Sequence, residues 1–225
     1  MSFTIEDMIL IAEKRYEMKF LAGKNGWANS ISWVHLLEGT TIIQNFWGKE
    51  LAVTTGLGFP KKEDWMHLAR QLNRFHASGL IINVGQYIEE VPKELIAYCD
   101  ENDLPLLTVP WEVHLSDMIK DFSIHVFLQD NTDEQIASAL IKAIETPEKQ
   151  NEYRKEVLQH FDVDGSFQVL LLTCEGLDSM DTVERKKLSY RIQVYLEDIS
   201  HNASFFYYNS DFVLVANAVP EEFLY

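Results

Sequence analysis

The sequence predicts an α/β protein: a parallel or mostly parallel sheet in an N-terminal domain, then a helical connector, then a partial α+β domain. Three observations on the 225-residue chain carry this. Short apolar segments, Leu51 to Thr55, Gly79 to Val84 and Leu104 to Val109, alternate with amphipathic stretches of helical length. Continuous apolar strands between helices indicate a parallel sheet covered on both faces. All five tryptophans (Trp27, Trp33, Trp47, Trp65, Trp111) fall in the first half, whereas the second half opens on charged helical sequence and closes on a Phe/Tyr-rich hairpin pattern.

Thr4 with Asp7 three places on reads as the N-cap of a short helix whose apolar residues are Met8, Ile9, Ile11 and Ala12. After the turn region at Gly23 and Gly26, Ile31 to Leu37 reads as a strand ended by Glu38-Gly39-Thr40. Trp65, Leu68, Leu72 and Phe75 recur at the period of one buried helix face. Pro92 suits a first helical position, and Leu95, Ile96 and Cys99 supply the next apolar stripe. The order strand, strand, helix, strand, helix, strand implies right-handed crossovers.

From Leu115 the period stays helical. One stripe is Leu115, Met118, Ile119, Phe122 and Val126; a second, capped by Thr132, is Ile136, Ala139, Leu140, Ala143 and Ile144; a third is Tyr153, Val157, Leu158 and Phe161. These stripes must be buried against each other, against the flanking domains or against a second chain, and a connector that helps dimerise is the favoured reading. Gly165 resets the pattern. Phe167 to Cys174 reads as a buried strand, Thr182 to Ser200 as a helix with Leu188, Ile192, Tyr195, Leu196 and Ile199 inward, and Ser204 to Tyr208 with Phe212 to Ala216 as a hairpin around Asn209-Ser210-Asp211. Strand, helix, hairpin is the first half of a ferredoxin-like palm, so the natural protein is expected to continue beyond residue 225. The expected domains are 1–125, 126–164 and 165–225.

The net charge of −16, from 35 acidic and 19 basic residues, opposes the phosphate neutralisation on which duplex binding depends. Cys99 and Cys174 stand in no metal-ligand spacing and fit a reducing cytoplasm. The N-terminus carries no basic region before an apolar core, and no apolar run approaches a membrane span. A cytoplasmic protein without membrane association is expected.

Several strings, in order and spacing, suggest a family: Ser32-Trp33-Val34-His35 with Glu38; Glu50-Leu51-Ala52-Val53-Thr54-Thr55-Gly56-Leu57-Gly58; Gly79-Leu80-Ile81-Ile82 with Gly85 and Tyr87; Glu90-Val91-Pro92; Leu104-Pro105-Leu106-Leu107 with Val109-Pro110. From about Thr4 to about Ile124 the chain resembles the N-terminal domain of purine catabolism regulator (PucR-type) transcription factors. Residues 166–225 resemble the degenerate GGDEF-like domain that follows in these regulators and in sugar-diacid regulators. The resemblance implies the effector-sensing and oligomerisation portion, as a homodimer, of a bacterial transcriptional regulator of purine or nitrogen catabolism. Family members bind DNA through a C-terminal helix-turn-helix, and this sequence has none. A purely structural or protein-interaction module is the alternative, and a small-metabolite enzyme using Glu38, His35 or Glu112 a more distant one.

The candidate ligand site is the edge of the sheet where the strands end. There Thr54-Thr55-Gly56-Leu57-Gly58 leads from a strand toward a helix, with glycines that allow close backbone approach and amides and hydroxyls suited to an anion or a polar ring edge. A tight turn without ligand is the competing reading, and the loop is neither a dinucleotide fingerprint nor a P-loop. Strand-end geometry would gather His35, Glu38, Tyr87, Trp111 and Glu112 beside it, a set suited to a purine-related or other flat effector. For Trp111 and Trp33 a core or interface role competes, and for His35 a hydrogen-bonded core role. No cofactor, metal site or catalytic set is expected: His67 and His76 lie nine apart, HExxH, GxSxG and CxxC are absent, and Asp178, Asp181 and Glu184 read as helix-start charges. The hairpin Tyr208-Asn209-Ser210-Asp211-Phe212 lacks the glycines and glutamate of a diguanylate cyclase, so no cyclase activity is expected.

Overall fold

A computed structural model describes residues 2–196 and 203–218. The chain is mixed α/β, with one mostly parallel sheet and a second, antiparallel one, and it divides into two compact units, Phe3–Val126 and a unit formed from Phe127 onward.

The first unit opens with α1 (Ile5–Arg15), started by a reciprocal capping box: Asp7 N donates to Thr4 Oγ1 at 3.2 Å and Thr4 N to Asp7 Oδ2 at 3.0 Å. Its sheet contains β1 (Lys19–Ala22), β2 (Trp33–Leu36), β3 (Glu50–Thr54), β4 (Gly79–Val84) and β5 (Leu106–Pro110) in the spatial order β1-β5-β4-β3-β2. Strands β2 to β5 are mutually parallel, and β1 joins β5 antiparallel with an irregularity between Phe20 and Ala22. The parallel neighbours β3, β4 and β5 are linked by the crossover helices α2 (Lys62–Arg74) and α3 (Lys93–Glu101). The link from β2 to β3 is only a 3-10 turn at Thr41–Asn45.

Both faces of the sheet are covered, as the unbroken apolar strands require. Ala52, Leu80, Ile82 and Leu106 pack with Trp65, Leu68 and Leu72 of α2 and Leu95 and Cys99 of α3. Their strand neighbours Val53, Ile81, Leu107 and Val109 point the other way, toward Ile5, Met8 and Ala12 of α1 and Met118, Phe122 and Val126. The last three belong to α4 (Leu115–Glu145).

In the second unit, β6 (Phe167–Leu172), β7 (Ala203–Tyr208) and β8 (Asp211–Asn217) form an antiparallel sheet in the order β6-β8-β7. Phe206, Val213 and Val215 pack with Ile136, Ala139 and Leu140 of α4 and with Val157 and Phe161; Val157 lies on α5 (Arg154–His160). The opposite face holds Leu214 and Ala216 with Leu170, Leu172, Leu196 and Phe205. Between β6 and β7 runs α6 (Thr182–Val194), capped by Asp181 and Glu184.

Five expectations change. The strand read over Ile31 to Leu37 is confined to Trp33–Leu36. The two stripes on either side of residue 130 lie on one 31-residue helix, and Thr132 is interior to it: its hydroxyl donates to the Leu128 carbonyl at 3.1 Å, the back-bonded alternative open to a helical threonine. The hairpin loop has two residues, because Tyr208 pairs with Asp211 and only Asn209 and Ser210 turn, at φ 53° and 75°. The strand read as buried over Phe167 to Cys174 ends at Leu172 and leaves Phe167, Val169 and Leu171 exposed. The helix read over Thr182 to Ser200 runs to Val194, and the end of that range, with Ile199, lies outside the described residues.

Candidate functional site

Because β2 to β5 are parallel and in register, their carboxyl ends, Leu36, Thr54, Val84 and Pro110, open onto one edge of the first unit. Loops leaving this edge follow the order of the strands, and in open α/β sheets the region outside the carboxyl ends of the strands is where ligands bind. The centre of the edge is Glu38. Its Oε1 accepts the Thr55 amide at 2.8 Å and the Thr55 hydroxyl at 2.6 Å; its Oε2 accepts the Thr54 hydroxyl at 3.1 Å and the Gly58 amide at 3.2 Å. Thr54 and Thr55 in turn accept the amides of Gly56 at 3.1 Å and Leu57 at 3.4 Å. The amides and hydroxyls that the sequence offered to an outside anion therefore already hold the protein's own carboxylate.

The glycines have distinct tasks in that turn. Gly56 sits at φ +87°, and a Cβ there would be 3.2 Å from both Trp65 and Ile88. At Gly58 a Cβ would fall 1.9 Å from the Glu38 carbonyl oxygen, so only glycine lets the loop close on the residue that braces it. Leu57, between them, is exposed.

Ile88 links this turn to the next loop, where the Gly85 amide donates to the Ile88 carbonyl at 2.8 Å. Gly85 stands at φ +153°, with space for a Cβ blocked by the Trp111 Cβ at 2.5 Å. Trp111 meets Tyr87 edge to face, centroids 5.6 Å apart at 81°, a favoured aromatic geometry. Trp111 and Tyr87 stay 37% and 45% exposed respectively. Asn83 steadies the base of the pair: buried at the end of β4, it donates to the Pro110 carbonyl at 2.6 Å.

The candidate residues thus separate into groups. Glu38, Thr54, Thr55, Gly56, Leu57 and Gly58 form one braced turn, and Tyr87 with Trp111 forms an aromatic pair beyond Ile88. His35 is half-buried and stacked on Phe46 at 5.1 Å, and burial holds its imidazole below the usual histidine range. Glu112 is exposed on the turn after Trp111.

Sequence reasoning passed over Asn83 and Ile88, though a lone amide inside the apolar run GLIINV marked the first. It also passed over Glu50 at the opposite end of β3. Glu50 is 5% exposed and accepts the amides of Trp47 at 2.6 Å and Gly48 at 2.9 Å. Burial, partly offset by those donors, pushes its carboxyl up to about 7. Among the described residues no group of three or more His, Cys, Asp or Glu is placed to hold a metal ion, and no helix is long and apolar enough to cross a membrane.

Among proteins of known role, the chain is similar to the purine catabolism regulatory protein of Bacillus subtilis (strain 168), at 27% identity over 107 residues, a match spanning 47% of this chain and 20% of that protein. The model of the purine catabolism regulatory protein-like family matches residues 9–126, more than half of the chain and nearly all of the first unit, including the braced turn and the aromatic pair. The chain therefore belongs to the purine catabolism regulatory protein-like (PucR) family.

Proposed function

We propose that this chain is the sensing part of a cytoplasmic transcriptional regulator of purine or nitrogen catabolism, and that its first domain binds a flat, uncharged heterocyclic metabolite at the carboxyl edge of the sheet. The observation that carries this reading is the half-exposed Tyr87–Trp111 pair beside a turn whose anion-binding groups are occupied by Glu38. Exposed aromatic faces suit a stacked ring, while the Glu38 carboxylate repels a phosphate or carboxylate. Purines and their neutral breakdown products have that chemistry.

In this reading residues 1–125 sense, residues 126–164 connect, and residues 165–225 form a degenerate GGDEF-like palm. The β6-β8-β7 order, with α6 between β6 and β7, supports a palm half of ferredoxin-like type. The module turns over no substrate, acts as a homodimer, and reaches DNA through a helix-turn-helix in the larger regulator.

Thermal-shift and calorimetric screening of purines, purine breakdown products, amino acids and sugar acids tests the site. A neutral heterocycle is expected to bind, with affinity lost in Trp111→Ala and Tyr87→Ala. A hit that both variants bind as tightly as the parent chain places the site elsewhere, and a preference for phosphorylated or carboxylated ligands contradicts the role given to Glu38.

A further inference from the structure

One buried polar group at the carboxyl edge of the first sheet uses only half of its hydrogen-bonding capacity. Asn83 is the fifth residue of β4 and is 2% exposed; it follows the apolar run Leu80, Ile81 and Ile82. Strand alternation sets it on the face of Ile81, beside its buried register partner Val109. Its Nδ2 donates to the Pro110 carbonyl at 2.6 Å. A carbonyl only accepts, so this bond fixes which end of the carboxamide is nitrogen and leaves Oδ1 directed away from Pro110. Among the described residues no donor reaches that oxygen, and it keeps contact with solvent-accessible space. The Pro110 carbonyl also accepts the Val113 amide at 3.1 Å, which holds the turn carrying Trp111. Gly85, two residues past Asn83, has the Trp111 Cβ 2.5 Å from where its own Cβ would stand. The open oxygen and the Tyr87–Trp111 pair therefore belong to the same strand ends, those of β4 and β5.

We propose that Asn83 Oδ1 is the acceptor of the ligand site and reads a ring N–H, so that the site selects heterocycles with an unsubstituted N–H at their edge. This rests on the neutral-heterocycle reading above and adds recognition in the plane of the ring. Stacking on Trp111 and Tyr87 tolerates any flat ring, whereas a carboxamide oxygen discriminates by the presence of a donor. Glu38 does not supply that acceptor, because both of its oxygens already take donors from Thr54, Thr55 and Gly58. Tying β4 to β5 requires only a donor at position 83; the carboxamide holds an acceptor as well, in a nearly buried place where its bond to a ligand is strengthened by the low local dielectric. A ring that excludes solvent from Oδ1 without offering an N–H leaves it unpaired, and that penalty is the source of the selectivity.

Calorimetry on the whole chain with hypoxanthine, xanthine and uracil, each beside its N-methylated derivatives, tests this. At least one of the N–H rings is expected to bind, and methylation of one of its ring nitrogens should weaken it about tenfold or more. Steric exclusion of the methyl group would give the same loss, and Asn83→Leu separates the two, since leucine keeps the size of the side chain and removes the oxygen. In Asn83→Leu the N–H ring and its methyl derivative should bind nearly alike, whereas Trp111→Ala should weaken both together. Asn83→Thr, which keeps a hydroxyl donor for Pro110 and suits a strand, makes the same comparison if the leucine variant melts early. A parent chain that binds none of the N–H rings overturns this inference and the heterocycle reading together. Trp111-dependent binding that ignores methylation, or a methyl discrimination that survives replacement of Asn83, overturns the role of Asn83 and leaves the heterocycle reading standing.

Discussion

Glu38 and Thr55, seventeen residues apart, are joined by two hydrogen bonds to one oxygen, from the Thr55 amide at 2.8 Å and its hydroxyl at 2.6 Å. Parallel pairing of β2 with β3 brings them together, since Leu36 and Val53 are register partners and each next residue leads into its loop. The bond pair turns a glycine-containing loop into a fixed edge beside the aromatic pair.

Removing the brace should therefore loosen the edge before it affects the core. Glu38→Ala leaves the fully buried Thr54 hydroxyl and the Thr55 and Gly58 amides without their acceptor, and the expected loss is about 2–4 kcal/mol in urea unfolding. Glu38→Gln keeps an acceptor on one branch and should lose less. A change in Glu38→Ala below about 0.5 kcal/mol would show that the turn holds itself.

Glu50 should make stability depend on pH. Its carboxyl rises from 4.5 to about 7 in the folded chain, so the folded state holds the proton more tightly than the unfolded one. The associated stabilisation is complete below about pH 4.5 and disappears as pH rises through about 7. Glu50→Gln mimics the protonated side chain and removes this dependence. Thermal melts should show Glu50→Gln gaining on the parent chain from pH 5 to pH 8, by on the order of 2–3 kcal/mol. A gap that stays constant over that interval would mean that Glu50 titrates like an exposed carboxyl.

Ser210 is the strained member of the β7–β8 turn. Both Asn209 and Ser210 have positive φ, 53° and 75°, the pattern that Asn-Gly serves best in a two-residue hairpin loop. Ser210→Gly should stabilise the second unit by about 0.5–1 kcal/mol, the relief at Ser210 exceeding the added freedom of glycine in the unfolded chain. The check is a rise in the melting temperature; a fall would show that the serine hydroxyl matters more than its backbone angle.

Much of the first unit was legible because its physics is local. Runs such as Leu51 to Val53 and Gly79 to Ile82 are apolar at every position, which only burial on both faces accommodates. Trp65, Leu68 and Leu72 carry the helical period directly and are all buried. β1 was missed: Lys-Phe-Leu-Ala is short, has no clean alternation, and is a strand only because β5 lies beside it. Thr132 misled because a threonine that caps one helix can equally bond back inside another. Phe167 to Leu172 misled because a wholly apolar run says nothing of whether each face finds a cover; here α4 and α5 reach Val213 and Val215 but not Val169 and Leu171.

The sequence by itself determined the alternation of strands and helices, the glycines at the sheet edge, the residue types gathered there and the family to which they belong, because each is written in spacing along the chain. Tertiary structure alone decided that Glu38 occupies the Thr54–Gly58 turn, that Tyr87 and Trp111 meet while staying partly exposed, and that Leu170 and Leu172 pack against neighbours while Val169 and Leu171 do not. Those depend on which distant residues become neighbours, and register across a sheet, unlike period along a strand, is a property of two segments at once.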